Sequence, residues 1–121
     1  MKVILVIEDN LELRENTAEL LGLYGYKVMT APDGKSGFEK SIREKPDVII
    51  CDMMMPGTDG PGFLALAKST EITAHIPLIF FSAGPVPADA KENIKDGEGM
   101  YIQKPFSNYD LLNAVEKSLR R

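Results

Sequence analysis

The stretch "DVIICDMMMPGTDG" (residues 47–60) joins a short apolar run to a carboxylate and then to turn residues. A run in which nearly every residue is apolar or β-branched is typical of a strand covered on both faces of a parallel sheet. Asp52 follows this run directly. Asp59 can cap a helix over 60–69, in which Pro61 lies in the first turn, where proline is tolerated. The stretch therefore predicts a strand, a turn and a helix, with an acidic side chain where the strand ends.

The same alternation of apolar run and amphipathic segment occupies the whole chain. The runs that predict strands are 3–7, 26–30, 47–51, 77–81 and 100–103, and the segments that predict helices are 10–24, 33–44, 60–69, 88–96 and 107–120. No linker, repeat or low-complexity segment divides the chain, so we expect one domain over 1–121. Five alternating strands and helices predict a (βα)5 α/β fold, a three-layer sandwich around a five-stranded parallel sheet.

Capping residues and apolar faces refine the helix predictions. Asp33 is placed to open the second helix, and Ser107 with Asp110 has the spacing of a capping box at the last one. The apolar faces predicted for the first and last helices consist of Leu13, Thr17, Leu20 and Tyr24, and of Leu111, Leu112, Val115 and Leu119. Each of these helices should therefore bury one side against the sheet.

Composition narrows the classes of function. The chain has 121 residues and a formal net charge of -4, which argues against direct binding of nucleic acid. Cys51 is the single cysteine, so no internal disulfide can form and a reducing cytoplasm is the expected location. Only five apolar residues, Val3 to Ile7, follow Met1 and Lys2, too few for a signal peptide or a membrane span.

Charged and polar side chains follow the predicted strands at the points where the strands end. Glu8 and Asp9 follow the first strand, Asp52 the third, Ser82 the fourth and Lys104 the fifth. Taken singly, the acids could be helix caps or turn residues, Ser82 a turn hydroxyl and Lys104 a solvated loop charge. Because open α/β sheets bind ligands at the carboxyl ends of their strands, we expect these side chains to meet at one edge. Mg²⁺ would relieve the repulsion among the three carboxylates.

Four motifs in this order resemble one protein family. "EDN" at 8–10, "DMMMPGTDG" at 52–60, "FFSA" at 80–83 and "YIQKPF" at 101–106 resemble the response-regulator receiver domain of two-component signalling. Each motif alone is weak, but the ordered set spans nearly the whole chain. The resemblance implies the CheY-like, flavodoxin-like strand order 2-1-3-4-5.

The resemblance also implies roles for the residues at the strand ends. Asp52 would be the phospho-acceptor, and Asp9 and Asp52 would bind Mg²⁺ (or Mn²⁺) directly. Glu8 would act on the metal through a water, and the backbone carbonyl of Met54 would supply a further ligand. Lys104 would pair with the phosphoryl oxygens. The domain would act as a signalling switch, catalysing only its own phosphorylation and dephosphorylation.

A switch and a docking patch complete the expectations from the family. Ser82 would move to bond a phosphoryl oxygen, Tyr101 would turn inward with it, and the surface of the fourth helix, fifth strand and fifth helix would change. A cis peptide bond before Pro105 would aim Lys104 inward. Leu11, Ala18, Pro105 and Phe106 would form the patch that docks the phosphohistidine donor. Met54, two residues after the acceptor, is apolar and predicts a long-lived phosphorylated state.

The partners implied are a sensor histidine kinase or histidine phosphotransfer protein and a downstream protein target. We expect a monomer, with a dimer of the phosphorylated form as an alternative, and neither direct nucleic-acid nor membrane binding. Because the last helix runs almost to the final residue, a stand-alone receiver without an output domain is expected, while a receiver cut from a longer DNA-binding transcription regulator stays open.

Two other functions fit the same architecture less well. A small Mg²⁺-dependent phosphohydrolase with an aspartyl-phosphate intermediate would need a second acid or base and a cap domain, neither of which is visible. A flavodoxin-like electron carrier would need a Ser/Thr/Gly-rich phosphate loop where Glu8 and Asp9 stand. His75, the single histidine, is expected in a surface loop at the other end of the sheet, and Cys51 in the core.

Overall fold

The computed structural model describes residues 1–54, 57, 60–82, 99–104 and 106–120. Its strands are β1 (Val3–Ile7), β2 (Lys27–Ala31), β3 (Val48–Asp52), β4 (Leu78–Ser82) and β5 (Gly99–Gln103). Its helices are α1 (Leu11–Leu23), α2 (Gly34–Glu44), α3 (Gly60–Ser69) and α4 (Asn108–Leu119). The helix predicted over 88–96, Asp59 as a helix cap and the peptide bond before Pro105 lie outside the described residues.

The five strands form one parallel sheet in the order β2-β1-β3-β4-β5, as expected. Three of the strands, β2, β3 and β4, begin and end one residue later than the sequence predicted. Pairing between neighbours sets these limits, because Asp52 still pairs with Phe81 and Ala31 with Ile7. Asp52 is therefore the last residue of β3 rather than the first residue after it.

The core lies in two apolar layers, one on each face of the sheet. On one face Phe63 and Ala67 of α3 pack against Leu5, Ile49 and Phe80. On the other, Leu21 of α1 and Leu111 of α4, with their neighbours, pack against the intervening strand residues. Since consecutive side chains of a strand point to opposite faces, the all-apolar runs serve both layers at once.

The predicted helix caps and faces are mostly confirmed. Asp33 and Ser107 cap their helices as predicted, and Ser107 forms the capping box with Asp110. Asn10, which was not predicted as a cap, caps α1. Tyr24 was wrongly assigned to the buried face of α1. The helix ends at Leu23, so Tyr24 lies past its last turn and is 63% exposed, whereas Leu21 is fully buried.

The buried stripe of α4 is also partly different from the prediction. Leu111 and Val115 are buried as predicted, but Leu112 and Leu119 are only half-buried. The small residues Ala114 and Ser118 face the sheet instead. Close approach of a helix to a sheet favours small side chains at the line of contact, which hydrophobicity alone does not indicate.

No helix in the described part of the chain is both long enough and apolar enough to cross a lipid bilayer.

Candidate functional site

Three carboxylates meet at the carboxyl edge of the sheet. Strands β1 and β3 are neighbours and pair up to Ile7 and Cys51, so Glu8 and Asp52 come next on adjacent strands. Asp9 joins them, and oxygens of the three side chains lie within 4.8 Å of one another. Glu8 and Asp52 are 1% and 5% exposed, whereas Asp9 is open to solvent. The sequence expectation that these acids converge is met.

Lys104 reaches the same cluster from β5, two strands away from β3. The backbone N–H of Lys104 donates to the Ser82 carbonyl at 2.6 Å and extends the pairing of β4 with β5 past the last strand residue. From there the Nζ atom lies 3.5 Å from Glu8 Oε1 and 3.5 Å from Asp52 Oδ2. The ammonium also lies 5.9 Å from the centre of the Phe81 ring. Lys104 therefore bridges two buried carboxylates over an aromatic face.

Burial dominates the electrostatics of Glu8. Its Oε2 accepts the Asn10 N–H at 3.1 Å, but its Oε1 is buried with no hydrogen-bond partner among the described residues. Removal from water is the main cause that raises the pKa of Glu8 to about 7, and the neighbouring Asp52 raises it further. An ammonium at 3.5 Å is a loose partner for such an oxygen. Glu8 therefore has a side-chain oxygen that accepts no hydrogen bond from the described residues. Because its pKa is raised to about 7, its charge changes with pH near neutrality.

Asp52 is held from two sides. Its Oδ1 accepts the backbone N–H of Met54 at 3.2 Å, and its Oδ2 faces the Lys104 ammonium. Met54 itself is 73% exposed, so its side chain stands at the mouth of the site. These two contacts orient the carboxylate, which is itself buried.

The donor set fits a hard divalent cation. All three side chains offer oxygen, which Mg²⁺ and Mn²⁺ prefer, and Mg²⁺ usually takes only one or two carboxylates with several waters. The buried Oε1 atom of Glu8, which accepts no hydrogen bond from the described part of the chain, is a second sign that a partner for these oxygens belongs in the site. The acidic group is therefore compatible with Mg²⁺ binding.

Ser82 and Tyr101 lie on the neighbouring strands β4 and β5, on one face of the sheet. Ser82 is the last residue of β4, and Tyr101 pairs with Phe80 on the neighbouring strand. The rings of Phe80 and Tyr101 stack at 5.4 Å between centroids. Since Ser82 and Phe80 are two residues apart, their side chains and that of Tyr101 share a face. This arrangement would allow a movement of the Ser82 hydroxyl to be coupled to a movement of the Tyr101 ring. The coupling itself stays a prediction.

Of the predicted docking patch, the structure describes three residues, Leu11, Ala18 and Phe106. Leu11 is 57% exposed, Ala18 is half-buried and Pro105 lies outside the described residues. Phe106 packs on Phe81 with 4.5 Å between ring centroids. A groove of about 410 Å³ beside it is lined by Leu13, Asn16, Leu20, Asn108 and Lys104 among others, but by neither Leu11 nor Ala18. Sequence patterns assigned Leu13 and Leu20 to the core, and so missed that they also face this groove.

Arg14 is a further residue that the sequence reasoning missed. Its Nη1 donates to the backbone carbonyl of Glu8 at 2.8 Å, from the second turn of α1 back to the loop that carries the acids. The single hint in the sequence is an arginine six residues after Glu8, within a helix that starts at the strand end. Cys51 is buried in the core, and His75 is exposed at the amino edge, both as expected.

Comparison with known proteins identifies the family. The profile of the response regulator receiver domain matches residues 4–116. The chain belongs to this family. The transcriptional regulatory protein RprY of Bacteroides fragilis is 37% identical over 118 residues, which cover 98% of this chain and 49% of RprY. The hybrid signal transduction histidine kinase D of Dictyostelium discoideum is 39% identical over 93% of this receiver domain and 7% of the kinase.

Solved structures confirm the receiver fold. A response regulator receiver domain protein from Clostridium thermocellum superposes with a TM-score of 0.90 and is 30% identical, covering 100% of this chain and 96% of that one. The receiver domain spans about half the length of RprY. The family consists of signalling switches of two-component systems, which agrees with the resemblance found in the motifs.

Proposed function

We propose that this receiver domain takes a phosphoryl group from a partner's phosphohistidine onto Asp52 with the help of Mg²⁺. The observation that supports this most is the set of contacts around Asp52. One carboxylate oxygen accepts a backbone N–H at 3.2 Å, the other faces an ammonium at 3.5 Å, and two further carboxylates lie within reach of a shared cation. A structural acid would have its charge compensated by one partner, whereas this one shares a cluster with two more carboxylates and the Lys104 ammonium.

In the transfer, a carboxylate oxygen of Asp52 forms a bond to phosphorus as the phosphorus–nitrogen bond of the donor breaks. The electron pair of that bond goes to the departing imidazole of the donor, and Asp52 becomes an acyl phosphate. The Met54 N–H and the Lys104 ammonium orient the nucleophile before the reaction. Asp9, Asp52 and Glu8 would hold the metal, with the Met54 carbonyl as a further ligand. A bound Mg²⁺ supplies neutralisation of the charge that the phosphoryl oxygens carry.

Phosphorylation would then act as a switch. A new dianionic group on Asp52 competes for the Lys104 ammonium, which now bridges Glu8 and Asp52. Ser82 is placed at the end of the adjoining strand to donate to a phosphoryl oxygen, and Tyr101 shares its face of the sheet. The surface formed by the segment over 88–96, β5 and α4 would carry the change to a downstream protein.

The donor would be a sensor histidine kinase or a histidine phosphotransfer protein in the cytoplasm. Leu11, Ala18, Pro105 and Phe106 remain the proposed docking patch, and the groove beside Phe106 adds Leu13 and Leu20 as its apolar floor. The groove opens next to Lys104, so a partner bound there would place its phosphohistidine close to Asp52. The unphosphorylated domain is proposed to be a monomer.

The decisive experiment measures a covalent phosphoryl adduct. The protein is incubated with acetyl phosphate and Mg²⁺, and the intact mass is compared among wild type, Asp52→Asn and Asp47→Asn. Asp47→Asn is the matched control, because it makes the same change at the opposite edge of the sheet. We expect the phosphate adduct on wild type and on the control but not on Asp52→Asn, and none when the metal is chelated. Equal labelling of Asp52→Asn would remove Asp52 from its role.

A receiver of a longer transcription regulator is the second candidate. RprY is named a transcriptional regulatory protein, and it extends to about twice the length matched here. The mass of the endogenous gene product, measured on an immunoblot with an antibody to this domain, separates the two candidates. A band near 13.4 kDa supports the stand-alone receiver, and a band near twice that mass supports the regulator.

A further inference from the structure

Arg14 forms a contact that the mechanism above does not use. Arg14 is half-buried, and its Nη1 donates to the Glu8 carbonyl at 2.8 Å. The backbone N–H of Glu8 donates to the Ala31 carbonyl at 3.0 Å, and the Glu8 carboxylate accepts the Asn10 N–H. Glu8 is therefore held at its backbone N–H, at its carbonyl and at one side-chain oxygen. Of these three contacts, only the one to the carbonyl comes from a side chain.

The stability of α1 does not account for this arginine. The helix is already capped by Asn10, whose side chain accepts the Leu13 N–H at 2.9 Å. Arg14 is the fourth residue of α1, just past the first turn, where the helix dipole gives a cation no stabilisation. Among the described residues, the hydrogen bond of its guanidinium goes to the loop carrying two of the three acids.

We propose that Arg14 is a positioning residue for the metal site. By holding the Glu8 carbonyl, it sets the direction of the turn over 8–10, from which the Glu8 and Asp9 side chains project. The inference rests on the proposed Mg²⁺-assisted function of this site. It assigns to Arg14 a role through Glu8 and Asp9, with no contact to the metal or to the phosphoryl group.

The alternative role for Arg14, a purely electrostatic one, predicts the opposite result. A cation beside an acidic cluster repels Mg²⁺, so its removal would tighten metal binding if charge were its main effect. Loss of positioning would weaken metal binding, because the turn would no longer hold its carboxylates in one geometry. Outer partners that orient metal ligands typically change affinity by about 10-fold to 100-fold when they are removed.

The experiment titrates Mg²⁺ into wild type, Arg14→Ala, Arg14→Lys and Arg43→Ala by calorimetry, with the unfolding temperature of each variant recorded. Arg43→Ala removes the same charge from the last turn of α2, at the opposite edge of the sheet. We expect the dissociation constant of Arg14→Ala to rise about tenfold relative to wild type. Arg14→Lys should have an intermediate dissociation constant, and Arg43→Ala should have that of wild type. In the metal-free protein, the backbone amide resonances of Asp9 and Asn10 should shift in Arg14→Ala.

If wild type binds Mg²⁺ and the dissociation constant of Arg14→Ala is equal to or lower than that of wild type, the role proposed for Arg14 is overturned. The proposed function would still stand. A lower unfolding temperature with unchanged affinity and unchanged Asp9 and Asn10 resonances would also overturn the role of Arg14. Failure of wild type itself to bind Mg²⁺ would instead overturn the proposed function, and the inference with it.

Discussion

At the amino edge of the sheet, Lys2, Asp47 and His75 line a cavity of about 280 Å³, whereas at the carboxyl edge three carboxylates and Lys104 crowd into one cluster. Asp47 is only half-buried, and its carboxylate accepts the Val3 N–H at 2.8 Å. Lys2 and His75 are exposed to water. The charges at this edge are thus compensated locally and by solvent.

At the carboxyl edge of the sheet, by contrast, charged side chains are buried and only partly compensated. Glu8 is buried with an oxygen that has no hydrogen-bond partner among the described residues, and Lys104 is shared between two carboxylates. A buried charge that is only partly compensated costs free energy unless a further partner arrives. The comparison teaches that charge at a strand end indicates a site only when burial keeps water from compensating it. Three measurements test whether the two edges differ in this way.

The largest expected effect is on the pH dependence of stability in the metal-free protein. The raised pKa of Glu8, about 7 against an ordinary value of 4.5, means that the folded state holds a proton that the unfolded state releases. The stabilising contribution is therefore fully present below pH 4.5 and is lost as the pH rises to about 7. We expect the free energy of unfolding, measured with urea, to fall over this range by up to about 3 kcal/mol.

Two variants make this prediction specific to the carboxyl edge. Glu8→Gln should flatten the slope, while Asp47→Asn should leave it as in wild type and lower stability by about 1 kcal/mol through the lost hydrogen bond. Added Mg²⁺ should reverse the slope, because a cation favours the ionised carboxylate. Persistence of the wild-type slope in Glu8→Gln would show that burial of this carboxylate does not control it.

The next largest effect is expected for Lys104→Met, which removes the ammonium shared by Glu8 and Asp52. Labelling by acetyl phosphate should slow by about 100-fold, because a charge that stabilises the transferring phosphoryl group is lost. Mg²⁺ should bind severalfold more tightly, because a competing cation is gone. Initial rates of adduct formation and calorimetric titration measure the two effects. Weaker Mg²⁺ binding in this variant would mean that Lys104 orients the acids rather than competing for them.

The smallest expected effect concerns the lifetime of the phosphorylated state. Met54 is 73% exposed at the mouth of the site and cannot orient an attacking water by hydrogen bonding. Met54→Asn should accelerate loss of the phosphoryl group by about tenfold, less than the roughly 100-fold or more that a fully positioned general base typically contributes. Decay of the intact-mass adduct after removal of acetyl phosphate measures it, with Met54→Leu as the apolar control. An equal decay rate in both variants would count against this role for position 54.

Much of the fold followed from local patterns. Runs such as 3–7 and 47–51 identified buried strands because both faces of a parallel sheet are apolar, and Asp33 and Ser107 identified helix starts because their side chains cap backbone N–H groups. Tyr24 was predicted to be buried but is exposed, because a helical pattern does not show where the helix ends. Leu112 was predicted to be buried but is only half-buried, because the pattern does not show how closely the helix approaches the sheet.

The order of residues along the chain was enough to predict which side chains stand at the strand ends, and hence that three acids and a lysine would share one edge of a receiver domain. That information is local, since it depends only on where apolar runs stop. The tertiary structure decided that Glu8 is buried while Asp9 is exposed, that Lys104 lies equally close to Glu8 and Asp52, and that Arg14 reaches the Glu8 carbonyl. Burial and distances across the sheet depend on how separate elements pack, and no pattern along the chain contains them.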